Sequence, residues 1–239
     1  MILPQFYGHR EVPIRLLEGY ADYLQTDGYD GYIKVRADNG IMQLGCWAHV
    51  RRKFDEALMA QGKNTTQRKT SLAATALQRI QLLYRLERKA KDLEPAQRQT
   101  LRQSRTVPVL DDFRQWLDQH LNLVPLKSAL GKAMNYTHKQ WDKLIVYTQD
   151  GRLRIDNNLI ENAIRPFVIG RKNWLFCDTV AGANASANLY SLIETAKANN
   201  TEPYTYLKTV FIELPKATSL EDIEALQPFE PAIDLKQAA

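Results

Sequence analysis

Between about residues 66 and 149 the apolar side chains recur at the spacing of a helix face, and no run there alternates as a strand would. Leu72, Ala76, Ile80, Leu83 and Leu86 make one stripe, and Leu130, Met134, Trp141 and Leu144 make another. The spacing predicts helices over Val109–Leu121 and Leu126–Thr148, with connections at Asn64-Thr65-Thr66, Val107-Pro108 and Val124-Pro125. Amphipathic helices in series must bury their stripes against one another, so this stretch is read as a bundle and the stripes as its core.

The flanks read differently. Glu11–Glu18 is a short predicted helix with Pro13 in its first turn and Gly19 just beyond it. Tyr23–Thr26 is a predicted strand that Asp27-Gly28 ends, Tyr29–Arg36 a short helix, and Ile41–Leu44 a second strand. Cys46–Met59 returns to helical spacing through Val50, Phe54 and Leu58. Beyond 150, Asp150-Gly151 is a turn, and Asp156 caps a helix over Asn158–Arg165 that Pro166 stops. Helices follow over Ala181–Asn199 and Pro203–Leu214, then an acidic, mostly extended tail after Pro215. No internal repeat is present, and the class is an α-rich α/β protein.

The 239 residues suffice for one large domain or two small ones, and 44% apolar with 25% charged residues excludes disorder as the main state. No apolar run approaches the roughly 18 residues of a membrane helix, and Met1–Phe6 lacks the features of a signal peptide. Two cysteines, Cys46 and Cys177, cannot build a disulfide framework, which points to a reducing cytoplasm. The net charge of +5 is unevenly spread: residues 51–106 hold 14 Lys/Arg against 5 acids, whereas residues 211–239 hold 2 against 6. A basic block of that density fits a polyanion partner such as nucleic acid. The plainer alternative is a set of solvated helix faces rich in cations.

Single residues carry less. Asp27 ends a strand, where a carboxylate can face the crevice at the carboxyl edge of a sheet, but Asp27-Gly28 is equally a plain turn. Glu161 falls early in a helix, where the macrodipole already favours an acid. Gly170-Arg171-Lys172-Asn173-Trp174-Leu175-Phe176 sets two cations before an aromatic run, a pattern that tracks phosphates or fills a core. Ala48-His49-Val50-Arg51-Arg52-Lys53-Phe54 sets three cations beside apolar residues. Cys46 and His49 lack the second ligand pair of a zinc site. Phosphate-binding loops, dinucleotide fingerprints and nucleophile elbows are absent from the sequence.

Taken in order, several stretches resemble the transposases of the insertion-sequence-66 family. They are Leu16–Tyr20 with Leu24–Tyr32, Gly45–Phe54, Leu126–Gly131, Asp150–Leu153, Asp156–Pro166, Gly170–Phe176, Gly182–Asn199 and Ile223–Phe229. The resemblance spans about residues 10–230 and implies a ribonuclease-H-like core interrupted by a helical insertion. Asp27 then matches the second Asp of an acidic triad and Glu161 its Glu. The implied chemistry is two-metal phosphoryl transfer with Mg²⁺ or Mn²⁺ on DNA, the element's ends and a target. Arg51, Arg52, Lys53, Arg165, Arg171 and Lys172 are candidates for phosphate contacts.

The resemblance also divides the chain. Residues 1–57 would be the first part of the core, 58–150 the basic helical insertion, 151–212 the second part and 213–239 the acidic tail. The family's first Asp lies upstream of the stretch matching Leu16–Tyr20, so the chain reads as the C-terminal part of a transposase. Two carboxylates of three leave a metal pair under-coordinated, and the fragment is expected to be inactive. The two remaining strands would be marginal, with an unpaired edge, in a loose or self-associating core. Full-length transposase or a second copy are further expected partners. The alternative is a non-catalytic DNA-binding or regulatory module.

Overall fold

The computed structural model describes residues 17–26, 40–61, 70–173 and 177–228. The chain forms two compact units, residues 8–159 and residues 160–239 with 1–7.

The first unit opens on a turn at Leu17–Gly19, where Gly19 takes φ +74°. Strand β1 (Tyr23–Gln25) and strand β2 (Met42–Leu44) pair in parallel, Tyr23 opposite Met42 and Gln25 opposite Leu44. Thr26 N–H extends the ladder to the Leu44 carbonyl at 3.0 Å. β2 runs through Gly45 and Cys46 into helix α1 (Trp47–Met59). Helix α2 (Leu72–Lys89) starts on a Ser71 cap, whose hydroxyl accepts from Ala74 N–H at 3.2 Å. Then come α3 (Pro95–Leu101), a π-helical turn (Arg102–Thr106), α4 (Val107–Leu121), α5 (Ala129–Leu144) and a 3₁₀ turn (Val146–Thr148).

The predicted stripes converge on one core. Trp47, Phe54, Ile80, Leu83, Phe113, Leu117, Met134 and Leu144 are all buried in it. Trp47, Phe113 and Trp141 meet pairwise with ring centroids 5.8–6.0 Å apart, and Trp141 stands edge-on to both partners. The Trp47 indole N–H donates to the Leu144 carbonyl at 2.9 Å, which also satisfies one carbonyl left over at the end of α5.

Four expectations need correction. Val107-Pro108 is not a connection: helical backbone runs from Pro95 to Leu121 without a break. A proline ring in an α-helix strikes the carbonyl four residues back, but the wider π turn just ahead of Pro108 opens the ladder there and the helix continues. The helix expected from Leu126 starts at Ala129, because Ser128 caps it by accepting from Gly131 N–H at 3.0 Å. Pro166 does not stop its helix, which runs over Asn158–Asn173 (α6). Packing beyond the proline, where the Phe167 ring meets that of Tyr190 at 5.1 Å, offsets the lost hydrogen bond. The tail is not extended throughout: a 3₁₀ turn (Leu214–Lys216) precedes a short helix, Leu220–Glu224, capped by Ser219. The predicted helix Tyr29–Arg36, the connection at Asn64–Thr66, the run Trp174–Phe176 and most of Glu11–Glu18 lie outside the described residues.

Within the second unit, α7 (Val180–Ala198) packs against α8 (Pro203–Glu213). α7 ends in a Schellman motif on Asn200, at φ 57°, with Thr201 N–H bonded to the Ala196 carbonyl at 2.8 Å. Glu202 then starts α8 by accepting from the Tyr204 and Thr205 amides.

The segment from Tyr147 to Asn157 is a strap with little regular structure, and α3 with the π turn is built to hold it. Arg98, Gln99, Arg102 and Gln103 recur at i, i+1, i+4 and i+5 along one helix face. Gln103 and Gln99 donate to the Thr148 and Gln149 carbonyls, and Arg98 to that of Gly151 at 3.0 Å. Arg102, 1% exposed, donates to the carbonyls of Tyr147 (2.7 Å), Asp150 (2.8 Å) and Leu153 (2.9 Å) and grips Glu87 of α2 at 2.9 and 2.6 Å. Gly151 lies so close to α3 that a Cβ would enter the Pro95 carbonyl.

Replacing Arg102 by Met strands a partly buried carboxylate and three carbonyls, and should cost about 3–5 kcal/mol in urea unfolding. Arg102→Lys should recover only part of this, since an ammonium cannot present the planar fork. A loss under about 1 kcal/mol for Arg102→Met contradicts the assignment. Gly151→Ala should lower stability by about 1–3 kcal/mol through overpacking against Pro95, read as a fall in Tm.

Candidate functional site

The carboxyl end of the two-stranded sheet and the last residues of the strap meet in the first unit. Gln25, ending β1, donates its side-chain amide to the Arg154 carbonyl at 2.9 Å. Trp47 N–H, opening α1, donates to the Ile155 carbonyl at 3.2 Å. The Cys46 thiol donates to Asn157 Oδ1 at 2.9 Å, and the Tyr84 hydroxyl of α2 donates to Asp156 Oδ2 at 2.8 Å. Asp156 Oδ1 accepts from Asn158 N–H at 3.2 Å, so the expected cap is present one residue ahead of the usual position. The blocks Gly45–Phe54 and Asp156–Pro166, about a hundred residues apart in sequence, therefore touch through named bonds.

Electrostatics at this junction favours neutral donors. Burial pushes the Cys46 thiol up, against weaker hydrogen bonding that favours the thiolate. Burial, then the Asp156 carboxylate, push the Tyr84 phenol far above its ordinary value, while the nearby Arg51 charge acts the other way. Both groups stay protonated and act as donors at neutral pH, and Arg51 is within electrostatic reach of the junction.

Of the residues singled out by sequence, Asp27 lies just beyond the end of β1 and outside the described residues. Glu161 sits in the first turn of α6 and is partly buried; Arg165 follows one turn later and is exposed. Arg171 and Lys172 belong to the last turn of α6, and their side chains are not among those described. Arg51 is exposed and pairs with Asp55 at 3.6 Å, Arg52 is exposed, and the Lys53 ammonium lies 4.7 Å over the Tyr136 ring. Lys53 and Lys132 share a shallow depression where α1 packs on α5, and Lys127 and Lys139 of the same region are exposed.

The basic block is thus of two kinds. Arg98 and Arg102 are occupied by backbone carbonyls, and Arg79 bonds Asp112 at 3.0 Å and stacks over Trp116. These three are neither a solvated face nor free for a polyanion, because the fold itself takes up their charge. The cations of α1 remain on the surface.

A divalent cation of the Mg²⁺ or Mn²⁺ type takes oxygen donors, and the Glu161 carboxylate is of that kind. The two oxygens of Asp156 each accept one hydrogen bond, from the Tyr84 hydroxyl and the Asn158 amide, which orients its carboxylate. Among the described residues no group of three His, Cys, Asp or Glu comes together, and no helix is long and apolar enough to cross a membrane. Sequence reasoning missed Tyr84, Asn157 and Arg102. Tyr84 flanks an apolar stripe, and nothing local signals a partner 72 residues away.

Residues 8–185 match the model of a family described as "Transposase IS66 family", and residues 191–229 match one described as "IS66 C-terminal element". Three proteins of Sinorhizobium fredii (strain NBRC 101917 / NGR234) are similar. Uncharacterized protein y4qI is 33% identical over 222 residues, 90% of this chain and 40% of that protein. Uncharacterized protein y4hP is 32% identical over 214 residues, 85% and 39% of the two chains, and y4jD is 30% identical over 222 residues, 90% and 42%. The chain therefore spans about two-fifths of the length of these relatives. No solved structure matches. A family match running through both units, and through the two blocks that the strap joins, places this chain in the IS66 transposase family.

Proposed function

We propose that this chain carries part of the acidic centre of a DNA transposase, with Asp27 and Glu161 as two of its metal-holding carboxylates. The observation that carries the reading is the family match over residues 8–185, which contains both residues. Its structural support is that the strap residues leading into α6 are bonded to the carboxyl end of the β1–β2 sheet and to the start of α1. The reading takes β1, β2 and α1 with the segment after 150 as parts of a ribonuclease-H-like core, and the helices between as its insertion. Mg²⁺ or Mn²⁺ held by the carboxylates would activate the attacking oxygen and stabilise the leaving oxygen during strand cleavage and transfer. Arg51, Arg52, Lys53 and Arg165, with Arg171 and Lys172, would bind the phosphates of element ends and target. A third carboxylate beside Asp27 and Glu161 would strengthen the hold on a metal pair.

Mn²⁺ titration tests the carboxylates. Asp27→Asn and Glu161→Gln should each weaken binding at least about ten-fold, a loss of about 1.4 kcal/mol. Unchanged affinity in both variants overturns the assignment. DNA binding tests the cations. Affinity should fall steeply with salt, and Arg51→Ala with Arg52→Ala should flatten the log–log slope by about 0.9 per lost phosphate contact. An unchanged slope removes α1 from the DNA surface. Binding of DNA with no effect of the carboxylate substitutions on Mn²⁺ favours a non-catalytic, regulatory module instead.

A further inference from the structure

We propose that Tyr84 and Cys46 are positioning residues: their hydrogen bonds to Asp156 and Asn157 lock the start of α6, and so the first turn that carries Glu161. The proposal rests on the reading of Glu161 as a metal-holding carboxylate.

The first amides of a helix have no partners within it, and an unanchored N-terminus frays. Here Asp156 caps the Asn158 amide, and Asp156 is itself held from outside by Tyr84. Tyr84 belongs to α2, whose stripe Ala76, Ile80 and Leu83 is buried in the core, so the hydroxyl is carried on a packed helix. Asn157 is held by Cys46, which is 1% exposed at the β2–α1 junction. Two donors from different elements thus fix two successive residues, while Arg154 and Ile155 are fixed from β1 and α1. The residues used for this purpose are a phenol and a thiol kept protonated by burial, which is what a fixed donor requires. Asp156 is thereby the anchor of the α6 start.

Hydrogen–deuterium exchange of the full chain, combined with Mn²⁺ titration, tests this. Tyr84→Phe and Cys46→Ala should each raise exchange of the Glu161–Arg165 amides, the first with partners inside α6, several-fold while α5 keeps its protection. Cys46→Ser, which restores a donor, should return both exchange and Mn²⁺ affinity toward those of the parent chain. Asn157→Ala removes the acceptor from the other side and should match Cys46→Ala, which guards against a packing defect at Cys46. Unchanged exchange at 161–165, or an equal rise across α5, overturns the proposal. If exchange responds as expected while Glu161→Gln leaves Mn²⁺ binding unchanged, the metal reading fails and the helix lock stands as a purely structural device.

Discussion

A single buried guanidinium, Arg102, ties the helical block to the strap that leads into α6. Its fork grips Glu87, its remaining donors take three carbonyls, and its face lies 5.1 Å from the Tyr147 ring. A charge this deep is tolerable only when every donor is used. The π turn that begins at Arg102 also lets the helix pass Pro108 unbroken. One local distortion thereby extends the helix on which Arg98, Gln99, Arg102 and Gln103 are aligned.

The strap shows how an irregular segment becomes rigid. Its carbonyls lack helix or sheet partners, so side chains of a neighbouring helix supply them. Farther along, β1, α1, α2 and the Cys46 junction take over in turn. The segment of the first unit with the least regular structure is among those with the most named polar partners. The second unit is built otherwise: Ala187 and Ala196 are the buried apolar side chains of its described helices, and Tyr204, Phe211 and Leu220 remain 74%, 63% and 65% exposed. Its helices rely more on caps, such as Thr179 and Glu202, and on the Asn200 motif.

What the sequence made legible follows from periodicity and local chemistry. The stripes of α2 and α5, both described strands and helix α1 lie where spacing placed them, because burial of one face dictates that spacing. The breaks were misread at Pro108 and Pro166, since a proline rule is local while a π turn or a packing partner that compensates it is not. The basic block was legible as charge but not as role: Arg98 and Arg102 look like surface cations until carbonyls some fifty residues on are brought to them. The candidate carboxylates come from motif resemblance alone; that Tyr84 anchors Asp156 is something no local pattern reveals.

The central claim is that the strap and its anchors hold the start of α6, whose first turn carries the proposed metal-holding Glu161. Anomalous diffraction from crystals of the chain soaked in Mn²⁺ tests it most directly. The account requires manganese on the carboxylate oxygens of Glu161 and Asp27, with Asp156 still bonded to Tyr84. Manganese on Asp156 with the Tyr84 bond broken, and none at Glu161, would contradict it.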